Sequence, residues 1–171
     1  DPYTIAGQGT VGKEILETND DLDAIFVPVG GGGLLAGVSA WIAQNNKKIK
    51  IYGVEVDDSA CLFEALKVNK RVRLKNVGIF ADGVAVEQVG KNNFDVIKEC
   101  IDGVITVTID EVCAALKDLF EDTRVMSEPA GAVALAGLKK YSSKKKKNLL
   151  AISSGANLNF DRLSYIVERS E

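Results

Sequence analysis

The chain has 171 residues, 46% hydrophobic and 26% charged, which suits one folded α/β domain and lacks the polar bias of a disordered polypeptide. Its 21 Lys and Arg stand against 24 Asp and Glu, a formal net charge of −3, so there is no basic footprint for nucleic acid or an anionic membrane surface. Histidine is absent altogether, which excludes Ser-His-Asp and Cys-His hydrolases, imidazole zinc sites and imidazole acid/base catalysis.

In chain order, a helix is predicted over Thr10 to Thr18, then a strand over Ala24 to Val29 (AIFVPV), four glycines from Gly30 to Gly33, and a helix over Gly33 to Gln44. A second strand, Ile49 to Glu55, leads to a helix over Ser59 to Val68, followed by an irregular connection from Asn69 to Gly90. Next come a helix over Asn93 to Ile101, a strand over Val104 to Thr108 and a helix over Asp110 to Asp122. Thr108 and Glu111 have capping-box spacing at its start. Pro129 opens a helix to Tyr141, where its missing N–H costs nothing. A solvated lysine run, Lys144 to Lys147, precedes a fourth strand, Asn148 to Ser153, and a last helix is predicted over Leu158 to Glu168.

Short apolar, β-branched strands alternating with helices predict an open, mostly parallel sheet covered by helices on both faces. The cysteines Cys61, Cys100 and Cys113 are odd in number and far apart, so reduced, buried thiols in a reducing compartment, the cytoplasm, are expected. No apolar run reaches the roughly 18 to 20 residues of a membrane span.

The sharpest local feature is Gly30 to Gly33 between a strand and a helix. Backbone without Cβ lets several N–H groups converge on one anion, and the helix start adds unpaired amides and a positive dipole end. A nucleotide-hydrolysing loop would need Lys-Ser/Thr after its last glycine, which is absent. Gly31-x-Gly33-x-x-Ala36 with Glu55 on the next strand does fit a dinucleotide fingerprint, so a Rossmann-type module stays open. A second polar loop, Ser153-Ser154-Gly155-Ala156-Asn157, also follows a strand. In a parallel sheet both loops open on one edge and can grip two ends of one ligand.

Five ordered segments carry a resemblance: Val27-Pro28-Val29-Gly30-Gly31-Gly32-Gly33-Leu34, Ala81-Asp82-Gly83-Val84-Ala85-Val86, Asp118-Leu119-Phe120-Glu121-Asp122-Thr123-Arg124, Glu128-Pro129-Ala130-Gly131-Ala132 and Ser154-Gly155-Ala156-Asn157. Together they resemble the threonine dehydratases (threonine ammonia-lyases) among the tryptophan-synthase-β-like pyridoxal phosphate enzymes. The surroundings of Phe120-Glu121-Asp122 and Asp58-Ser59-Ala60-Cys61 are similar to the biosynthetic, isoleucine-pathway form.

The resemblance implies pyridoxal 5'-phosphate as cofactor. Its phosphate would lie on Gly30, Gly31, Gly32, Gly33 and the Leu34 amide, with Gly83 beside its ring, Ser154 on its ring nitrogen, and Asp82 and Glu128 near the site. Glu55 matches a cation-binding carboxylate of related racemases, but Cys61 stands where a second acid is expected, so no metal is assigned. The family's Schiff-base lysine belongs upstream of anything matching Asp1 to Thr10. The chain is therefore expected to be the C-terminal large-lobe portion of a catalytic domain, without its N-terminal catalytic segments or the regulatory domain, and inactive alone. The implied parent deaminates L-threonine, and also L-serine, to 2-oxo acid and ammonia as a homo-oligomer, a tetramer by resemblance. Serine racemase or serine dehydratase is the alternative within the family.

Overall fold

The computed structural model describes residues 1–141 and 147–170. Its elements run α1 (Pro2–Thr18), β1 (Ala24–Pro28), α2 (Gly33–Asn45), β2 (Lys50–Val56), α3 (Cys61–Lys67), α4 (Lys91–Cys100), β3 (Gly103–Val107), α5 (Ile109–Thr123), α6 (Pro129–Tyr141), β4 (Leu149–Ala151) and α7 (Leu163–Arg169). The four strands form one sheet in the order β3-β2-β1-β4, with every pairing parallel.

Strand alternation sends side chains to two cores. Ala24, Phe26, Val54 and Val56 pack with α5, α6 and Ile166 of α7 on one face. Ile25, Val27, Val29 and Ile51 pack with Ile15 of α1 and with α2, α3 and α4 on the other. Both faces are covered, which is why the strands read as unbroken apolar runs.

Several boundaries differ from the sequence reading, the start of α1 most of all, and β4 is shortened to Leu149–Ala151. Helix α1 begins at Pro2 rather than Thr10, capped by the Asp1 carboxylate, which accepts the Tyr3 and Thr4 amides at 2.7 and 3.2 Å. Gly7, Gly9 and Gly12 weaken its intrinsic propensity, but packing overrides it: a Cβ on Gly37 of α2 would run into the Ile5 carbonyl and lie 2.6 Å from the Gly9 nitrogen. The helix placed at Ser59 to Val68 is a 3₁₀ turn, Asp57–Ser59, followed by α3. The last helix starts only at Leu163, after a 3₁₀ turn at Phe160–Arg162. The capping box is formed, with Glu111 N–H donating to Thr108 Oγ1 and Thr108 N–H to Glu111 Oε2. Of the lysine run, Lys144 to Lys146 lie outside the described residues; Lys147 Nζ lies 3.3 Å from the Tyr141 hydroxyl.

Pro28 opens the sheet at the functional edge. The β1–β4 pairing ends at Phe26 and Ala151, with Ile152 N–H donating to the Phe26 carbonyl. By alternation Pro28 faces the β4 side, where no further bond is formed, so its missing N–H costs nothing there. Beyond this point β1 leads to α2 on one face, while β4 leads to α7 on the other. Adjacent strands whose chains leave to opposite faces create a crevice at their carboxyl ends, the usual ligand position in open α/β sheets.

Candidate functional site

That crevice is a cleft of about 290 Å³. Its walls are Pro28, the glycine loop Gly30 to Gly33 and Leu34 from one strand end, Ser154 from the other, and Gly83, Val84, Glu128 and Ala130 from the chain between. The structure thus brings together both loops and places Gly83 and Glu128 with them. Asp82 is not among these lining residues: its Oδ1 accepts the Gly83 amide at 3.1 Å and lies 3.8 Å from Arg162 Nη1.

The glycine loop ends in a left-handed residue, Gly32, at φ 84° and ψ 4°. A Cβ here would sit 2.9 Å from Ile97 Cδ1 and 3.0 Å from Val89 Cγ2, so both conformation and space demand glycine. Gly30 is pressed against the connection before α4, where its Cβ would approach Val84 Cα at 3.1 Å. Gly31 differs, since a Cβ there would meet nothing within 4 Å. The first bond across the start of α2 is Ala36 N–H to Gly32 C=O. The amides of Gly33, Leu34 and Leu35 therefore have no acceptor within the helix, and its positive dipole end faces the same way. The arrangement is a concave set of donors with open space at Gly31, suited to a phosphate.

The second loop is tied down by residues ahead of α6. Ser127, buried, donates its hydroxyl to the Gly155 carbonyl at 2.8 Å, and Glu128 N–H donates to the same oxygen at 3.1 Å. Asn157 N–H returns a bond to Glu128 Oε2 at 3.2 Å. Glu128 therefore spends one oxygen on the loop, while its side chain lines the cleft. Ser154, exposed, offers a neutral hydroxyl among the residues that line the same cleft as the glycine loop.

Glu55 does not reach the cleft. It is fully buried at the end of β2, and its two oxygens accept the Leu62 and Phe63 amides at 2.8 and 2.7 Å. Burial pushes its pKa up to about 7, against the two amide bonds that pull it down. An acid so occupied cannot bind a ribose hydroxyl, which removes the anchor of the dinucleotide reading. Burial, helped by the neighbouring Glu55, pushes the Cys61 thiol up to about 12. It stays protonated and is a poor metal ligand. Among the described residues no group of three His, Cys, Asp or Glu is placed to hold a metal. All three cysteines are free thiols, Cys61 and Cys113 buried and Cys100 half-buried.

Sequence reasoning missed Pro28, Val84 and Ala130 as cleft walls, and Ser127 as the tie on the serine loop. Pro28, Val84 and Ala130 stand inside the motifs quoted above, and Ser127 directly before the Glu128-Pro129 motif. A larger groove of about 550 Å³ between α5 and α7 is lined mainly by apolar side chains such as Leu116, Phe120 and Ile166. Neither polar loop contributes to it, so the smaller cleft is the candidate site.

Known proteins are similar to this chain over nearly its whole length. The chain is 51% identical over 173 residues to L-threonine dehydratase biosynthetic IlvA of Escherichia coli, covering 99% of this chain and 34% of that protein. It superposes on the processed form of threonine deaminase isoform 2 from Solanum lycopersicum with a TM-score of 0.96 and 44% identity, over 99% of this chain and 50% of that one. A serine racemase from Dictyostelium discoideum follows at a TM-score of 0.82 and 36% identity, over 91% and 50%. The chain spans about a third of the length of the curated relatives it matches. The model of the pyridoxal-phosphate dependent enzymes matches residues 1–155, a span that holds the whole glycine loop and Ser154, and the chain belongs to this family.

Proposed function

We propose that this chain is the cofactor-holding large-lobe portion of the catalytic domain of a biosynthetic threonine dehydratase, with pyridoxal 5'-phosphate in the cleft between the glycine and serine loops. The observation that carries the reading is the convergence of an amide-lined, side-chain-free cradle and a neutral hydroxyl on one crevice at the carboxyl ends of neighbouring strands. The whole protein would convert L-threonine, and also L-serine, to the 2-oxo acid and ammonia, with 2-oxobutanoate from threonine as the first step toward isoleucine. Serine racemase or serine dehydratase activity is the second reading, favoured by the structural likeness to a serine racemase. We place the enzyme in the cytoplasm as a homo-oligomer, with no nucleic-acid or membrane partner. No described helix is long and apolar enough to cross a membrane.

When bound, the cofactor supplies an electron-poor ring that stabilises negative charge at the substrate Cα. The residues of this chain bind and orient it. The Gly33 and Leu34 amides would hold the phosphate, and the space beside Gly31, which has no side chain, is left open for it. Gly83, whose Cβ would lie 2.9 Å from that of Ala130, keeps the cleft wall flat beside the ring. Ser154 would meet the ring nitrogen with a group that carries no charge, leaving that nitrogen without the ionic partner a carboxylate would provide. Such a pairing would suit a reaction that expels a β-hydroxyl.

Among the described residues no lysine lines the cleft. The Schiff-base nucleophile of the whole enzyme is assigned to segments other than this one, and this chain alone releases no 2-oxo acid from threonine. The test is release of 2-oxobutanoate by the purified 171-residue chain with pyridoxal phosphate supplied. Turnover on the order of 1 per second or more, the ordinary enzyme range, would place the nucleophile within it and overturn the assignment.

A further inference from the structure

We propose that Asn93, on the first turn of α4, is a positioning residue that aims the glycine loop at the phosphate; the inference rests on the phosphate-cradle reading above. The Gly31 carbonyl accepts two bonds from the start of α4, from Gly90 N–H at 3.1 Å and from Asn93 Nδ2 at 2.6 Å. The acceptor is a backbone oxygen, so only the nitrogen end of the Asn93 amide can face it. A peptide unit is planar and trans, so a carbonyl held toward α4 turns the next N–H, that of Gly32, the opposite way.

The rest of the loop fits this orientation. At Gly32 a Cβ would point to the α4 side, toward Ile97, Val89 and Asn93, while at Gly31 it would enter open space. The Gly32 amide, turned from α4, joins those of Gly33 and Leu34 as successive donors in a left-handed to right-handed turn, a backbone arrangement that binds anions. A Gly-Gly peptide has little steric resistance to rotating out of this position. The two bonds to Gly31 supply the resistance, and the Asn93 bond is the shorter. Asn93 itself is not among the residues lining the cleft, so its effect passes through the loop.

The test uses pyridoxine 5'-phosphate, whose alcohol cannot condense with surface lysines as an aldehyde would, with pyridoxine as the phosphate-free control. Calorimetric titration compares the chain with Asn93→Ala and with Asn93→Asp, which keeps the shape but has no hydrogen to donate. Wild-type chain is expected to prefer the phosphate ester. Each variant is expected to bind the ester about fivefold to tenfold more weakly, the effect of one lost hydrogen bond, with pyridoxine binding unchanged. Titration of ¹⁵N-labelled chain with inorganic phosphate gives a site-resolved check, in which the Gly32 amide moves in wild type and its response shrinks in the variants.

An undiminished preference for the ester in both variants, or an equal loss for ester and pyridoxine, would overturn the positioning role while leaving the cradle intact. If wild-type chain itself shows no preference for the ester and no phosphate response at Gly32 to Leu34, the cradle reading fails and this inference falls with it.

Discussion

The two loops that form the cleft solve the same problem by opposite means. The glycine loop offers backbone and gains its shape from what a side chain would hit: Ile97 and Val89 at Gly32, Val84 at Gly30. The serine loop offers a hydroxyl and gains its shape from polar ties, with Ser127 and Glu128 both bonded to the Gly155 carbonyl. Both loops are tied by hydrogen bonds to one carbonyl, Gly31 from the start of α4 and Gly155 from the residues before α6, and the glycine loop adds close packing against α4 and the connection before it. A bound anion needs donors without bulk, whereas a ring nitrogen needs one polar atom at one place. On the proposed placement of the cofactor, the two loops meet the two ends of one ligand.

The comparison breaks most visibly at Gly131, where the serine loop does depend on close packing. A Cβ there would run into the Gly155 carbonyl oxygen and Ser127 Oγ. Backbone cannot step aside as a flexible side chain can, so Gly131→Ala is expected to destabilise the chain by about 3 kcal/mol, the upper range of overpacking. Urea unfolding measures this, and a midpoint equal to wild type would mean that α6 shifts freely beneath the loop.

The surroundings of the glycine loop also respond to pH. Beneath the glycine loop, Cys61 Sγ sits 4.0 Å from the Gly30 carbonyl, and the buried Glu55 holds the start of α3 through Leu62 and Phe63. Glu55 is raised from 4.5 to about 7 in the folded chain, so the folded state takes up its proton more readily than the unfolded one. Its contribution is fully present below about pH 4.5 and is lost as pH rises through about 7, to a total of about 3 kcal/mol for a shift of this size. Unfolding free energies measured from pH 5 to 8 should fall with pH in wild type, and Glu55→Gln should flatten the slope. A wild-type slope that survives in the variant would assign it to other groups.

The smallest expected effect on folding sharpens the contrast within the glycine loop. Gly31→Asp places its side chain in open space, so stability should stay within about 0.5 kcal/mol of wild type. The carboxylate would stand where the phosphate is held, and affinity for pyridoxine 5'-phosphate should drop roughly tenfold or more. Equal affinity would remove Gly31 from the phosphate site.

Much of this molecule could be read along the chain because its signals are local. Strands of β-branched residues, the Thr108 to Glu111 capping box and Pro129 at a helix start each act over a few residues, and each formed. The edge shared by the two loops was also legible, since parallel strands leave no alternative. The start of α1 was not. Its glycines argue against helix by propensity, but Gly9 and Gly12 let α1 lie close against Gly37, Val38 and Trp41 of α2.

The same division governs the site. From residue types alone came a glycine cradle, a serine loop and the absence of histidine chemistry, all properties of side chains or of their lack. Glu55 reads identically as a ribose anchor, a cation ligand or a buried cap, because an acid at a strand end has the same local pattern in each case. Tertiary structure decided it by delivering the Leu62 and Phe63 amides to its oxygens. Asn93 and Ser127 became supports of the two loops only when folding brought them 62 and 28 positions along the chain to the carbonyls of Gly31 and Gly155. No periodicity records such a partnership, since the hydrogen bond is set by the distance between atoms in space and not by spacing in the sequence.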